Sequence, residues 1–499
     1  MTLRSAIRLR QCCGLDGMSY PSASLNSMAM NAQKSPYSAS MGPRPSISPD
    51  HKTLDRDTVA QLPKVELHDH IDGGLRPSTL LDLAQQSGYS GLPDSIMSQP
   101  EDARADALEE WFRTSAESGD LPSYLELFAR TTAVMQTAEA IERVTREAVE
   151  DLARDGVAYA ELRFAPEQHQ EQGLDLQHVV DAAIAGVRAG EQSAAAEDNP
   201  IVARLILCAM RNNNRSTEIA RLVVDNAGDG SGYVVGFDLA GPEEGFSVRE
   251  HAEALELLRE NLVPFTIHAG EADGVGSMKD ALALGASRIG HGARIYEDFG
   301  ASLDGIELGP VAARVRDRTV ALELCPTSNR QTGLVDSMED HPLSLLYELG
   351  FTCTVNTDNR TVSGTTMTDE MLLFGEYFDF GYDELLHLTL NAMDAAFLPL
   401  LDRQRLARDL IIPAYEELVG DPDMRATSRN DGSGHHDDGA DENGAEGHSH
   451  DHAHGAHGHN HSGAGTLNID LGDLGLDDID GLAGLDGLDL GDLGSDKRE

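Results

Sequence analysis

Four short stretches of the chain carry the residue types that do chemistry, and they recur at intervals. Glu66-Leu67-His68-Asp69-His70-Ile71-Asp72-Gly73-Gly74 sets two imidazoles two residues apart, and Ile267-His268-Ala269-Gly270-Glu271 adds a third imidazole with a carboxylate three residues on. Gly290-His291-Gly292 places a histidine between glycines, and Asn356-Thr357-Asp358-Asn359 supplies a further carboxylate. On a strand, side chains alternate between faces, so His68, His70 and Asp72 are expected on one side. Three neutral ring nitrogens and one carboxylate suit zinc, a borderline cation that keeps room for a water and acidifies it toward neutrality. Each stretch also has a plain explanation. His-x-His runs are often simply exposed, a lone histidine is often a satisfied core residue, and Glu271 could be an ordinary helix-start carboxylate. The recurrence of such groups at successive strand ends is what argues for a site.

Those strand ends follow from the surrounding pattern. Apolar, β-branched runs at Val65–Ile71, Val157–Phe164, Val202–Met210, Tyr233–Ala240, Pro264–His268, Arg288–His291, Val320–Cys325 and Phe351–Asn356 alternate with amphipathic stretches. This is how parallel strands covered by helices read. Eight such units predict a (β/α)8 TIM-type barrel, which places its chemistry at the C-terminal strand ends. Val248–Asn261 shows the helical period in Ala252, Leu255 and Leu258, after a capping Ser247. The connection from the first strand to the second, about 85 residues, is too long for a simple crossover. Its helical patterns at Thr79–Gln86, Ala105–Glu117 and Tyr124–Met135 read as a helical insertion over the active face, a lid holding the single tryptophan, Trp111.

Composition divides the 499 residues into three parts. Residues 1–57, rich in Ser, Met, Pro and Asn, read as a disordered leader within which Met41 is a candidate start. Residues 58–425 form the expected catalytic domain, and 426–499 a low-complexity tail, first His-rich (His435–His461) and then acidic (Leu467–Leu493). The tail is read as dispensable, with loose zinc or nickel binding by its histidines as the alternative. The net charge of −47, about a third of it from Asn430–Glu499, opposes a nucleic-acid partner and favours a small neutral or cationic substrate. No apolar run reaches membrane-spanning length. The isolated Cys208, Cys325 and Cys353 read as buried thiols, so a cytoplasmic setting is expected, while the oligomeric state stays open.

Taken together, Pro63-Lys64-Val65-Glu66-Leu67-His68-Asp69-His70-Ile71-Asp72-Gly73, His268-Ala269-Gly270-Glu271, Gly290-His291-Gly292, Cys325-Pro326-Thr327-Ser328-Asn329 and Asn356-Thr357-Asp358 resemble the adenosine and AMP deaminase family. The resemblance implies one zinc per chain, held by His68, His70, His268 and Asp358, with Glu271 as proton donor and His291 orienting the attacking hydroxide. It further implies substrate contacts by Asp72 and Gly241, with His70 close to the ribose, and an activity in purine salvage: adenosine becomes inosine plus ammonia, with 2'-deoxyadenosine deaminated in the same way.

The chemistry agrees with those roles. Displacing an amine from a purine needs a strong nucleophile at neutral pH and an acid near N1. The family commonly has Asp-Asp where this chain has Asp358-Asn359. Purine N7 is an acceptor, so an Asn there donates through its amide where an Asp would first have to be protonated. Deamination of adenine, AMP or a modified purine are the rivals within the family. Phosphate recognition would want clustered Arg or Lys, and none stands beside Asp72. A metal-binding or docking protein acting through its tails is the non-enzymatic alternative, against which the presence of both Glu271 and His291 speaks.

Overall fold

The chain is described by a computed structural model over residues 53–227, 232–302 and 305–419. The expected tail, residues 426–499, lies outside the described residues, as does the expected leader up to residue 52. A helix, Arg56–Gln61, capped by the Asp55 side chain on the Thr58 amide, spans the expected boundary at 57/58.

Ten strands are present among the described residues: β1 (Lys64–His70), β2 (Val157–Phe164), β3 (Val202–Met210), β4 (Val234–Ala240), β5 (Thr266–Ala269), β6 (Arg288–His291), β7 (Phe299–Ser302), β8 (Gly305–Leu308), β9 (Ala321–Leu324) and β10 (Cys353–Val355). They form two four-stranded sheets of all-parallel pairs, ordered β1-β2-β3-β4 and β10-β9-β6-β5, and a separate antiparallel hairpin, β7-β8. Isolated parallel bridges touch at both seams between the sheets, Asp69 with Asp358 and Phe237 with Phe265. At the first seam Asp358 donates its amide to the His68 carbonyl and accepts the His70 amide, at 2.8 and 2.7 Å.

The strands are apolar because both faces are covered. Leu67, Leu162, Leu205, Phe237, Ile267, Ile289, Leu322 and Leu324 are fully buried in one core with the surrounding helices. Helices supply the crossovers, for example Leu176–Ala196 between β2 and β3 and Val275–Leu284 between β5 and β6. Thr137 caps the helix Ala138–Arg154 through the Ala140 amide, and Ile141, Val144, Ala148 and Leu152 line its buried face. Its neighbour, Leu176–Ala196, approaches closely at Gly186, where a Cβ would lie 2.6 Å from the Glu142 carbonyl oxygen.

The eight expected strands are all present, three of them with the expected bounds. The last shrinks from Phe351–Asn356 to Cys353–Val355. The hairpin β7-β8 was not foreseen: it is mostly exposed, so it lacks the apolar run that marks a buried strand. Val248–Asn261 also differs. It opens with a 3₁₀ turn, Val248–His251, and is α-helical only over Ala252–Glu260, although Ser247 does cap it, on Arg249.

The insertion after β1 holds helices at Pro77–Ser87, Asp94–Met97, Arg104–Ala116, Leu121–Leu125 and Phe128–Thr132. The single helix expected over Tyr124–Met135 is therefore two. The backbone tightens to three-residue spacing at Leu127 and Arg130, on either side of the break between these helices; the Tyr124 hydroxyl meets Ser363 in the segment after β10, and the Phe128 ring lies against His70 at the end of β1. Trp111 packs at the core's edge with the Arg130 guanidinium 4.9 Å above its ring.

Candidate active site

Strand register and a bulge bring the histidines of β1 into place. Three residues of β1, Leu67 to Asp69, advance against two of β2, a β-bulge just where His68 must turn inward. At the ends of β6 and β10 the backbone is held at φ +58° for His291 and +61° for Asp358, a left-handed conformation that costs non-glycine residues energy and recurs at functional sites.

Four side chains, from the ends of β1 and β5 and from the seam after β10, converge. His70 Nε2 lies 3.4 Å from His268 Nε2, and Asp358 Oδ1 lies 3.4 Å from His68 Nε2 and 3.6 Å from His70 Nε2. All four ligand atoms fall within 4.8 Å of one another, close enough to hold one metal ion. His68, His268 and Asp358 are buried, and His70 nearly so. Burial, the mutual repulsion of the rings and Arg163 hold His70 and His268 below the ordinary imidazole pKa, so both are neutral donors to a metal at pH 7.

Three of the four ligands are aimed by a further group. His68 Nδ1 meets Glu323 Oε2 at 2.9 Å, and His268 Nδ1 meets Asp238 Oδ2 at the same distance. Both carboxylates are held by one buried guanidinium: Arg163 reaches Asp238 at 2.8 Å and Glu323 at 2.9 Å, crossing from one sheet to the other. Arg288 pairs with the second oxygen of Glu323 and with Glu161, completing the buried network. Ser328 Oγ donates to Asp358 Oδ2 at 2.6 Å, which leaves Oδ1 for the metal.

Glu271 and His291 stand beside this cluster, with His291 Nε2 3.6 Å from Glu271 Oε2 and both within reach of Asp358. Burial pushes the Glu271 pKa well above the usual carboxylate range, and the charges of Asp358 and Glu243 add to it. That shift favours the protonated acid, the form able to give a proton. Its backbone is fixed by Glu243, whose carboxylate accepts the amides of Gly270, Glu271, Ala272 and Asp273 at 2.7–3.0 Å.

Of the remaining expected residues, Asp72 lies in the 3₁₀ turn after β1, 3.9 Å from His70 Nδ1, with Oδ1 buried and unbonded. Burial raises its pKa to about 7. Asn359 spends an amide hydrogen on the Tyr124 hydroxyl at 3.0 Å, so only its other one is left to donate, and its Oδ1 is buried without a partner. Gly241 is less central. It closes β4 at φ +94°, and a Cβ there would meet Met210, Asn212 and Arg211, none of them in the cluster.

The sequence reading missed Arg163, Asp238, Glu243, Glu323 and Tyr124. Charged residues inside Glu161-Leu162-Arg163, Phe237-Asp238-Leu239 and Leu322-Glu323-Leu324, each in an otherwise apolar strand, were the available signal, because buried charges must be paired. Tyr124 gave none, since its place depends on how the insertion folds back.

The profile of the adenosine deaminase family matches residues 63–413. An adenosine deaminase from Mycobacteroides abscessus is 50% identical over 369 residues, covering 74% of this chain and 99% of its own. The crystal structure of adenine deaminase from Arthrobacter aurescens superposes with a TM-score of 0.56 at 27% identity, over 69% of this chain and 98% of that one. An amidohydrolase from Burkholderia ambifaria, with bound Zn, shares the fold at a TM-score of 0.61 and 23% identity, over 76% and 98%. The chain thus belongs to the adenosine deaminase family.

Proposed function

We propose that residues 58–425 form a (β/α)8 barrel which catalyses the zinc-dependent hydrolytic deamination of adenosine to inosine and ammonia, and of 2'-deoxyadenosine to 2'-deoxyinosine and ammonia. The bridges at both sheet seams and the ion pairs running from sheet to sheet support closure of the barrel. The observation that carries the functional reading is the convergence of three imidazoles and one carboxylate, with the buried Glu271 carboxyl and a histidine against the same aspartate.

The donor set fits zinc. Three of the separations between these ligand atoms are 3.4, 3.4 and 3.6 Å, and all lie within 4.8 Å; ligands bonded to one zinc at about 2.0–2.2 Å come that close. His68 Nε2 is buried with no hydrogen-bond partner, as a metal-facing nitrogen should be. His68, His70, His268 and Asp358 would hold one ion per chain. Zinc bound there would supply Lewis acidity, making water a nucleophile at neutral pH.

The chain's own residues do the rest. Glu271, whose protonated form its buried pocket favours, gives a proton to purine N1 and so polarises the ring toward attack at C6. His291 holds the incoming oxygen in line and stabilises the charge that develops. Ammonia departs after a further proton transfer. Asp72 meets the ribose 5'-hydroxyl, the free amide hydrogen of Asn359 faces N7, and His70 and Gly241 lie along the nucleoside. This chemistry belongs to purine salvage, and the free, buried Cys208, Cys325 and Cys353 support a reducing cytoplasm as its setting.

The test is the ultraviolet change when zinc-analysed protein is added separately to adenosine, adenine and AMP, with a chelator-treated control. Rapid conversion of adenosine alone, lost on metal removal, is expected. Conversion of only adenine or AMP would overturn the reading of the ribose pocket, and no conversion of any would overturn the activity.

A further inference from the structure

His291 acts through Nε2, and what decides whether that nitrogen carries a proton lies behind the ring. Three buried groups line up there, beginning at an atom whose polarity is not in question. The backbone amide of Leu343 can only donate, and it donates to His341 Nδ1 at 3.3 Å. Burial pulls the His341 pKa down to about 3, so the ring is neutral. With Nδ1 accepting, its one proton sits on Nε2.

That nitrogen lies 3.2 Å from Asn329 Oδ1, an acceptor only. The amide is thereby oriented with Nδ2, a donor only, 3.0 Å from His291 Nδ1. His291 Nδ1 must present its lone pair, so in the neutral ring the proton is on Nε2, facing Glu271 and Asp358. Reversing any one link breaks another. A flipped Asn329 amide would set its NH₂ group against the His341 Nε2 proton, and moving that proton to Nδ1 would oppose the Leu343 amide. Each such clash leaves a buried polar group unsatisfied, which buried polar groups in native structures rarely are.

We propose that Asn329 and His341 are positioning residues, a one-way hydrogen-bond relay from the Leu343 amide that fixes His291 as the Nε2–H tautomer. His291 then enters the reaction as a hydrogen-bond donor to the attacking oxygen and takes no proton from it at Nε2. This deepens the role proposed for His291 above and rests on it for its catalytic consequence, although the tautomer itself does not depend on the substrate. The positions are recognisable in the sequence, Asn329 closing Cys325-Pro326-Thr327-Ser328-Asn329 and His341 twelve residues on, but their alignment behind His291 is a product of the fold.

The experiment is two-bond ¹H–¹⁵N correlation NMR of the zinc-loaded full chain labelled in histidine. The His291 signal is identified by its loss in His291→Asn. The expected pattern is a protonated Nε2 and a lone-pair Nδ1; the reverse pattern in the wild-type protein would overturn the relay without recourse to any other variant. Asn329→Asp, nearly identical in shape and, at a pH where its carboxylate is ionised, able only to accept, should there move the His291 proton to Nδ1 and lower kcat at least tenfold, with KM and zinc content little changed. If Asn329→Asp leaves the ring pattern as it was, the relay is refuted. An enzyme that shows the expected pattern but leaves adenosine unconverted would uphold the relay and refute the substrate reading, so the two failures are distinguishable.

Discussion

Replacing Glu271 by Gln tests the site most directly, because the substitution changes almost nothing except the ability to give up a proton. Glutamine keeps the volume of the side chain, and the backbone amides of residues 270–273 remain bound to Glu243. Burial favours the protonated form of Glu271, which glutamine matches in charge, so the metal ligands keep their setting. General acid catalysis contributes about 10²–10⁴ in rate, which at 1.36 kcal/mol per tenfold is about 3–5 kcal/mol of barrier. Turnover of adenosine by Glu271→Gln should fall by that factor while zinc content stays at the wild-type level.

Stability should move the other way, in a defined pH window. The Glu271 pKa is raised in the folded protein, so above its unfolded value, about 4.3, the unfolded chain gains from ionisation and the native state loses stability as pH rises toward the folded pKa. Glutamine has no such loss. Metal-free Glu271→Gln should therefore melt higher than metal-free wild type at pH 7, with the gap closing below about pH 4. Kinetics, metal analysis and melting curves at the two pH values decide the matter. A variant that keeps more than a tenth of wild-type turnover, or one that melts lower at pH 7, would refute the assignment of Glu271 as a buried proton donor.

Other substitutions probe the supports. Ser328→Ala removes the 2.6 Å bond that orients Asp358, and zinc affinity measured by chelator competition should fall about 10- to 100-fold, as for other groups that hold a metal ligand in place. Asp72→Ala should raise KM for adenosine about ten- to a hundredfold with much less effect on kcat, the loss of a hydrogen bond to a charged or strongly polar group in ground and transition state alike. Steady-state kinetics separate the two. Deletion of residues 430–499 should leave both turnover and zinc content unchanged, and a truncated chain that purifies without zinc would show that the His-rich stretch serves the site.

Much of the site was legible because metal ligation and acid catalysis demand particular side chains, and strands repeat them at predictable places. His68 and His70 at period two, His268 with Glu271, and Asp358 at a strand end all needed only composition and spacing to be singled out. Helix caps such as Ser247 and Thr137 are local hydrogen bonds and so stand in the sequence as well. The groups that aim the ligands do not. Arg163 binds Asp238, 75 residues away, and Glu323, 160 residues away, and Asn329 meets His291 only because two strand ends lie together. Tyr124 reaches Asn359 across 235 residues of chain. Spacing in the sequence determines which residues share a strand and a face; which carboxylate stands behind which imidazole, and which way its proton points, depends on long-range packing in a buried medium, where every polar group must find a partner and only the assembled fold supplies it.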